Sequence, residues 1–260
     1  MPADLFDLDL RAKRRDRAFR AGAELFLYER AFEDCLDRIG LVQRSFQSAL
    51  LIGCPDPNWP DRLREYASQV DAFDPGPEFA KAVRGARIVE DQFDPVPQHY
   101  DLCLAIGTLD TVNDLPQALM RIRAALAPDG LFIGAFSGGD TLPQLRLAMR
   151  AADEAAGVAV PHVHPRIEPS MLTALLSAAG FANPVVDVDR VAVRYSSLWR
   201  LISDLRAMGA TNILTGRSRK PVSKTALRRA EEAFAASVED GRTTETFEIL
   251  HFAAWTANQG

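Results

Sequence analysis

Short apolar runs alternate with amphipathic stretches through the first half of the chain. Residues 49–52 (ALLI), 70–73, 86–89, 100–106 (YDLCLAI) and 131–136 (LFIGAF) have the length and bulk of buried strands. Phe19, Leu25, Phe26, Phe32, Leu36 and Ile39, spaced among charges, predict one or two amphipathic helices over 14–41. Residues 62–68, 78–84 and 115–126 predict further helices, the last stopped by Pro128-Asp129-Gly130. Helices follow over 141–156 and over 168–179, the second closed by Gly180. Strands over 185–188 and 191–195, helices over 198–208 and 223–238, and a strand over 246–255 complete the pattern. Such alternation predicts an α/β fold, a doubly wound and mostly parallel sheet of seven strands with right-handed crossovers. No repeat or low-complexity linker divides the chain. The expected organisation is an N-terminal helical segment over 1–42 and one domain over 43–260, with a helical lid at about 196–240.

Composition narrows the function classes. The chain has 260 residues, 47% hydrophobic and 25% charged, with a formal net charge of −5, which argues against a general phosphate-backbone binder. Two basic runs, 11–20 and 217–229, read as solvated helix faces. Cys35, Cys54 and Cys103 are too few and scattered for a disulfide framework or a thiolate zinc site, and a reducing cytoplasm fits them. The first residues lack the apolar core of a secretory signal, and no run approaches the ~20 apolar residues of a membrane span. The expected protein is cytoplasmic and not transmembrane, with peripheral membrane association left open and no nucleic-acid partner.

Residues 48–60, SALLIGCPDPNWP, carry the densest signal. An apolar strand ends in Gly53-Cys54, where a nucleotide-type cofactor meets the first strand of such a sheet. A phosphate or nucleoside cradle favours glycines, yet Pro55 and Pro57 follow, with fixed φ and no N–H.

Several motifs together resemble the class I S-adenosylmethionine-dependent methyltransferases. Tyr100-Asp101 opens the fourth strand, and Leu126-Ala127-Pro128-Asp129-Gly130 precedes the fifth, as in that family. The segments Val112-Asn113-Asp114-Leu115-Pro116, Ser137-Gly138-Gly139-Asp140-Thr141-Leu142, Pro161-His162-Val163-His164-Pro165, Met208-Gly209-Ala210-Thr211-Asn212 and Thr246-Phe247-Glu248-Ile249 narrow it. They are similar to the mitochondrial complex I assembly factor 5 branch and its alphaproteobacterial relatives. The malonyl-acyl-carrier-protein methyltransferases of biotin synthesis are similar but match these segments less well. The resemblance implies a Rossmann-like fold, S-adenosylmethionine as cofactor in a cradle altered by Pro55 and Pro57, and a complex I subunit as protein substrate. It implies Gly53, Cys54, Asp56, Asp74, Asp91 and Gly107 as the cofactor-binding set, with Asp74 toward the ribose and the Glu90-Asp91 turn toward adenine.

Each candidate also has a plainer role. Asp110 stands with Thr111 where the branch has a His-Trp pair; it is either a catalytic or guanidinium-orienting carboxylate or a helix N-cap. Asp140, after the Gly138-Gly139 pair, is a candidate for catalysis and for holding a cationic substrate, or the cap of the helix after it. His162 is a candidate substrate residue. His162 and His164 lack a nearby carboxylate that completes a metal triad, so no metal is expected. Cys54 is the sole candidate reactive thiol. The activity implied is modification of a protein side chain, arginine hydroxylation or methylation, in complex I assembly. The alternatives are a non-catalytic assembly scaffold whose prolines record loss of the loop, and the biotin-pathway methyltransferase.

Overall fold

The computed structural model describes residues 4–258. Two helices, α1 (Leu8–Ala21) and α2 (Phe26–Leu41), precede the sheet. Strands β1 (Phe46–Ile52), β2 (Ala67–Asp74), β3 (Ala86–Arg87), β4 (Tyr100–Ile106) and β5 (Leu126–Gly138) alternate with α3 (Trp59–Leu63), α4 (Pro77–Ala82) and α5 (Leu115–Ala125). Helices α6 (Pro143–Ala156) and α7 (Pro169–Ala178) lead to β6 (Phe181–Tyr195). Then come α8 (Leu198–Ala207), α9 (Lys224–Ala235), the two-residue β7 (Val238–Glu239) and β8 (Arg242–Thr256). The sheet order is β3-β2-β1-β4-β5-β8-β6, with β7 added beside β8. Strands β1 to β5 are parallel, and β8 inserts antiparallel between β5 and β6. The order reverses between β1 and β4, and ligands in open α/β sheets lie at the carboxyl ends beside such a reversal.

Both faces of the sheet are covered, which is why its central strands read as unbroken apolar runs. Ala49 and Leu51 face a core shared with α2, α6, α8 and α9, whereas Leu50 and Ile52 face a second core built with α5 and α7. Helix α2 contributes Phe32, Cys35 and Ile39 to the first core, so it is part of the sheet's cover.

Several elements differ from the sequence pattern. The strand candidates over 185–188 and 191–195 form one strand, because β8 pairs along their whole length and the charges between them find partners: Arg38 and Arg30 bind Asp187 and Asp189 at 2.6 Å each. The helix expected over 62–68 is instead α3, which starts at Trp59, and Ala67 already pairs with Phe46 in the sheet. Trp59 fixes that shift by stacking on Phe32 at 4.2 Å between ring centres. The eighth strand, β7, takes Val238 from the end of the helix expected over 223–238, which stops at Ala235; both β7 residues are exposed.

Candidate functional site

A cavity of about 870 Å³, the space at its mouth included, opens above the carboxyl ends of β4 and β5. Gly107, Asp110, Thr111, Phe136 and Ser137 form its floor at those strand ends. Tyr28 of α2, Arg166, and Leu205 to Ile213 with Arg11 and Arg15 close its sides. Gly107 has φ +63°, and a Cβ there would fall 2.3 Å from the Tyr28 ring, so the glycine admits the phenol over the end of β4. The Tyr28 hydroxyl reaches the Met208 carbonyl at 3.4 Å, and burial pushes its pKa up.

Asp110 lies in a short 3-10 turn and is no helix cap; Asp114 caps α5 by accepting from the Gln117 N–H at 2.9 Å. The Asp110 carboxylate instead accepts from Nη1 of Arg166, both side chains being largely buried. Nε of Arg166 is buried without a partner. His164, not His162, faces the cavity: its Nε2 accepts from the Ile213 N–H at 3.0 Å, and its ring meets Phe6 edge-on. Burial, then the charges of Arg166, Arg14, Arg11 and Arg146, push the His164 imidazole down to about 3. It is therefore a neutral acceptor at pH 7 and a poor proton carrier. His162 turns away to Asp153 at 2.8 Å, outside the cavity.

The Asp140 side chain is exposed and also lies outside the cavity. Helix α6 begins two residues later than its pattern suggested, with Leu142 at the cap position in the left-handed region at φ 64°. Its first amides are satisfied from a distance by Glu245, which accepts from Gln144 and Leu145. The Gly138-Gly139 pair makes room for β8, because a Cβ on either would meet Leu250 or Glu248.

The nucleoside side of the cleft, at the ends of β1 and β2, is differently filled. Gly53 (φ +79°) passes so close to β4 that a Cβ would sit 2.1 Å from the Ile106 carbonyl. The Cys54 N–H and the Gly76 N–H donate to Asp74 at 2.9 and 2.7 Å. Two further bonds to Asp74 come from Nε and Nη2 of Arg15. Glu90 is taken bidentately by Arg11, at 2.8 and 2.6 Å. Both carboxylates are fully buried. The basic run over 11–20 is thus only in part a solvated face: Arg11 and Arg15 are buried. Asp91 accepts from the Asp114 N–H, while its Oδ1 is buried and unpartnered. Asp56 accepts from the Asn58 N–H in a local turn. The Cys54 thiol is buried and its pKa is pushed up by desolvation, the opposite of a reactive thiol. Among the described residues no group of three or more histidine, cysteine or carboxylate side chains is arranged to hold a metal ion.

The structure gathers Asp110 and Gly107 in the cavity, places Gly53, Cys54 and Asp74 together beside it, and leaves Asp140 and His162 out. Tyr28 and Arg166 are cavity residues that pattern reasoning passes over; it weighs His164 only as a metal ligand, and Arg11 and Arg15 only within a solvated basic run.

A methyltransferase-domain family matches residues 22–185. The chain is 32% identical to the arginine-hydroxylase NDUFAF5, mitochondrial, of Rattus norvegicus, over 97% of this chain and 77% of the relative. It is also 32% identical to a malonyl-[acyl-carrier protein] O-methyltransferase of Laribacter hongkongensis, over 75% of this chain and 70% of the relative. The fold is shared with the N-methyltransferase NodS of Bradyrhizobium japonicum, solved with S-adenosylhomocysteine (TM-score 0.50, 15% identity, 95% of this chain and 99% of that one). It is shared too with the YcgJ protein of Bacillus subtilis (TM-score 0.58, 11% identity, 87% and 99%). Sheet order, cleft and matched domain agree: the chain belongs to the S-adenosylmethionine-dependent methyltransferase family.

Proposed function

We propose that this protein uses its methyltransferase cleft to modify an arginine side chain of a protein partner, a respiratory complex I subunit during assembly. One observation carries the reading: at the end of β4, Asp110 already holds a guanidinium, that of Arg166. A carboxylate set low in a mostly apolar cavity selects such a planar cation through charge-assisted hydrogen bonds. Leu27, Met208, Phe247 and Ile249 supply apolar walls for the methylenes of an arginine stem. In the exchange, Asp110 would pass from Arg166 to the incoming side chain, while neutral His164 adds no charge to the wall. The relatives named as arginine hydroxylases, similar over nearly the whole chain, support the same substrate class.

The residues present fit S-adenosylmethionine in kind. Asp74 would hold its ribose diol, and the orphaned Oδ1 of Asp91 is an acceptor suited to the adenine amino group. When bound, the cofactor would supply an electrophilic methyl group on its sulfonium, the chemistry of methylation; hydroxylation would further require dioxygen and a two-electron reductant as co-reactants.

Mass spectrometry of complex I subunits from cells with and without the protein tests the reading. The expected result is one arginine that carries an added oxygen or methyl group only when the protein is present, and that is lost in an Asp110→Asn strain. An unchanged set of arginine peptides would overturn it.

A further inference from the structure

Arg11 and Arg15 stand one turn apart on α1 and reach the two acids that follow β2 and β3. Asp74 accepts four hydrogen bonds, two from Arg15 and one each from Cys54 and Gly76, which fills the acceptor sites of a carboxylate. A ribose diol would have to displace two of them. Glu90 is likewise occupied, and Nη2 of Arg11 also donates to the Thr108 carbonyl at 2.8 Å. The helix holds the place that the nucleoside half of the cofactor requires.

What fastens α1 over the two acids is ionic: its buried residues are Arg11, Ala12, Arg15 and Ala18. Its larger apolar side chains pack only toward its ends, Leu8 and Leu10 on Phe6, Ile213 and Leu214, and Phe19 edge-on to Phe79. Where it meets the lid and the turn after β2, it passes close to Gly209 and Gly76, which offer no side chain to interlock with. At its far end Gly22, φ +80°, has open space around it. A helix anchored by a large apolar face would resist displacement. One held chiefly by polar contacts can be exchanged for a ligand that hydrogen-bonds Asp74, provided the released arginines return to water and solvent reaches Glu90.

We propose that α1 is a self-supplied occupant of the nucleoside half of the cleft. Arg11 and Arg15 hold Glu90 and Asp74 until a ligand with a ribose diol takes over Asp74 and α1 withdraws, so these two arginines set the affinity for the cofactor. The proposal rests on the methyltransferase reading of the cleft. A gate closed nine-tenths of the time weakens apparent affinity about tenfold.

The test titrates S-adenosylhomocysteine calorimetrically into the full-length protein and into an Arg11→Gln, Arg15→Gln double variant. Hydrogen exchange of the unsubstituted protein is followed in parallel. The double variant is expected to bind about tenfold more tightly, and the ligand to speed exchange of the α1 amides while slowing it near Gly53 and Asp74. A folded variant that binds equally or more weakly, or α1 amides that the ligand slows or leaves unchanged, overturns the gate. Should the variant fail to fold, exchange in the unsubstituted protein decides alone. Binding with an unmoved α1 removes the gate and leaves the cofactor reading intact. No binding by either protein at millimolar ligand removes both.

Discussion

Replacing His164 with Gln should flatten the acid side of the stability profile. The imidazole is 5% exposed, accepts from the Ile213 N–H, and is held at about 3 by burial and four arginines. In the unfolded chain it titrates near 6.5. A histidine depressed in the fold contributes its full stability above the unfolded value and loses it as pH falls from there toward the folded value, because only the unfolded chain takes up the proton. At pH 5 the lag is roughly 1.5 units, which at 1.36 kcal/mol per unit costs about 2 kcal/mol relative to pH 8. For a chain of this size that is roughly 4–8 °C in Tm. His251 is also depressed by burial, but it titrates identically in both proteins and cancels in the comparison. Urea unfolding of both proteins at pH 8, 7, 6 and 5 reads the difference. If the two stability curves stay parallel throughout, His164 is not held neutral by burial and the neighbouring arginines.

Four further substitutions probe the site and its frame. Asp110→Asn should abolish arginine modification while leaving S-adenosylhomocysteine affinity within about threefold, since Asp110 follows β4, Asp74 ends β2, and the two share no hydrogen-bond partner; a large loss of ligand affinity in calorimetry refutes that division. Gly107→Ala should destabilise by about 2–4 kcal/mol, from its positive φ and the Tyr28 ring 2.3 Å from the new Cβ. Adding Tyr28→Ala should recover part of that loss, and additive costs in denaturant unfolding would show that the two do not touch. Glu245→Ala should cost about 1–2 kcal/mol by removing the acceptor for the first amides of α6; a loss below about 0.5 kcal/mol would mean that the helix start is satisfied otherwise.

The central sheet was legible because its strands are buried on both faces, which leaves no polar alternation to confuse them with amphipathic helices. Legibility fails where burial is one-sided. In β6 exposed and half-buried residues alternate, and its Asp187, Asp189 and Arg190 look like a break until β8 and the arginines of α2 are in place beside them. The start of α6 misled for a related reason. Asp140 and Thr141 have the composition of a cap, but the cap is Glu245, about a hundred residues further along the chain. A local rule cannot see an acceptor supplied by tertiary structure.

The site followed the same division. Asp110 and Gly107 sit at the end of a strand that the pattern located, so the cavity's floor came with the strand. Its walls did not, because Tyr28, Arg11, Arg15, His164 and Arg166 arrive from helices and loops whose docking no periodicity encodes. Yet α1 held a usable signal. Arg11 and Arg15 share their helix face with Ala12 and Ala18, and its large apolar residues, Leu8 and Phe19, stand only at its two ends. A face of small residues and arginines stays in solvent unless the fold offers buried carboxylates, and this fold family places an acid at the end of its second strand. An acid-tipped strand beside a cradle stiffened by Pro55 and Pro57 calls for a counter-charge from somewhere. The nearest chemically adequate source is the chain's own arginine pair, and that is where the structure has it.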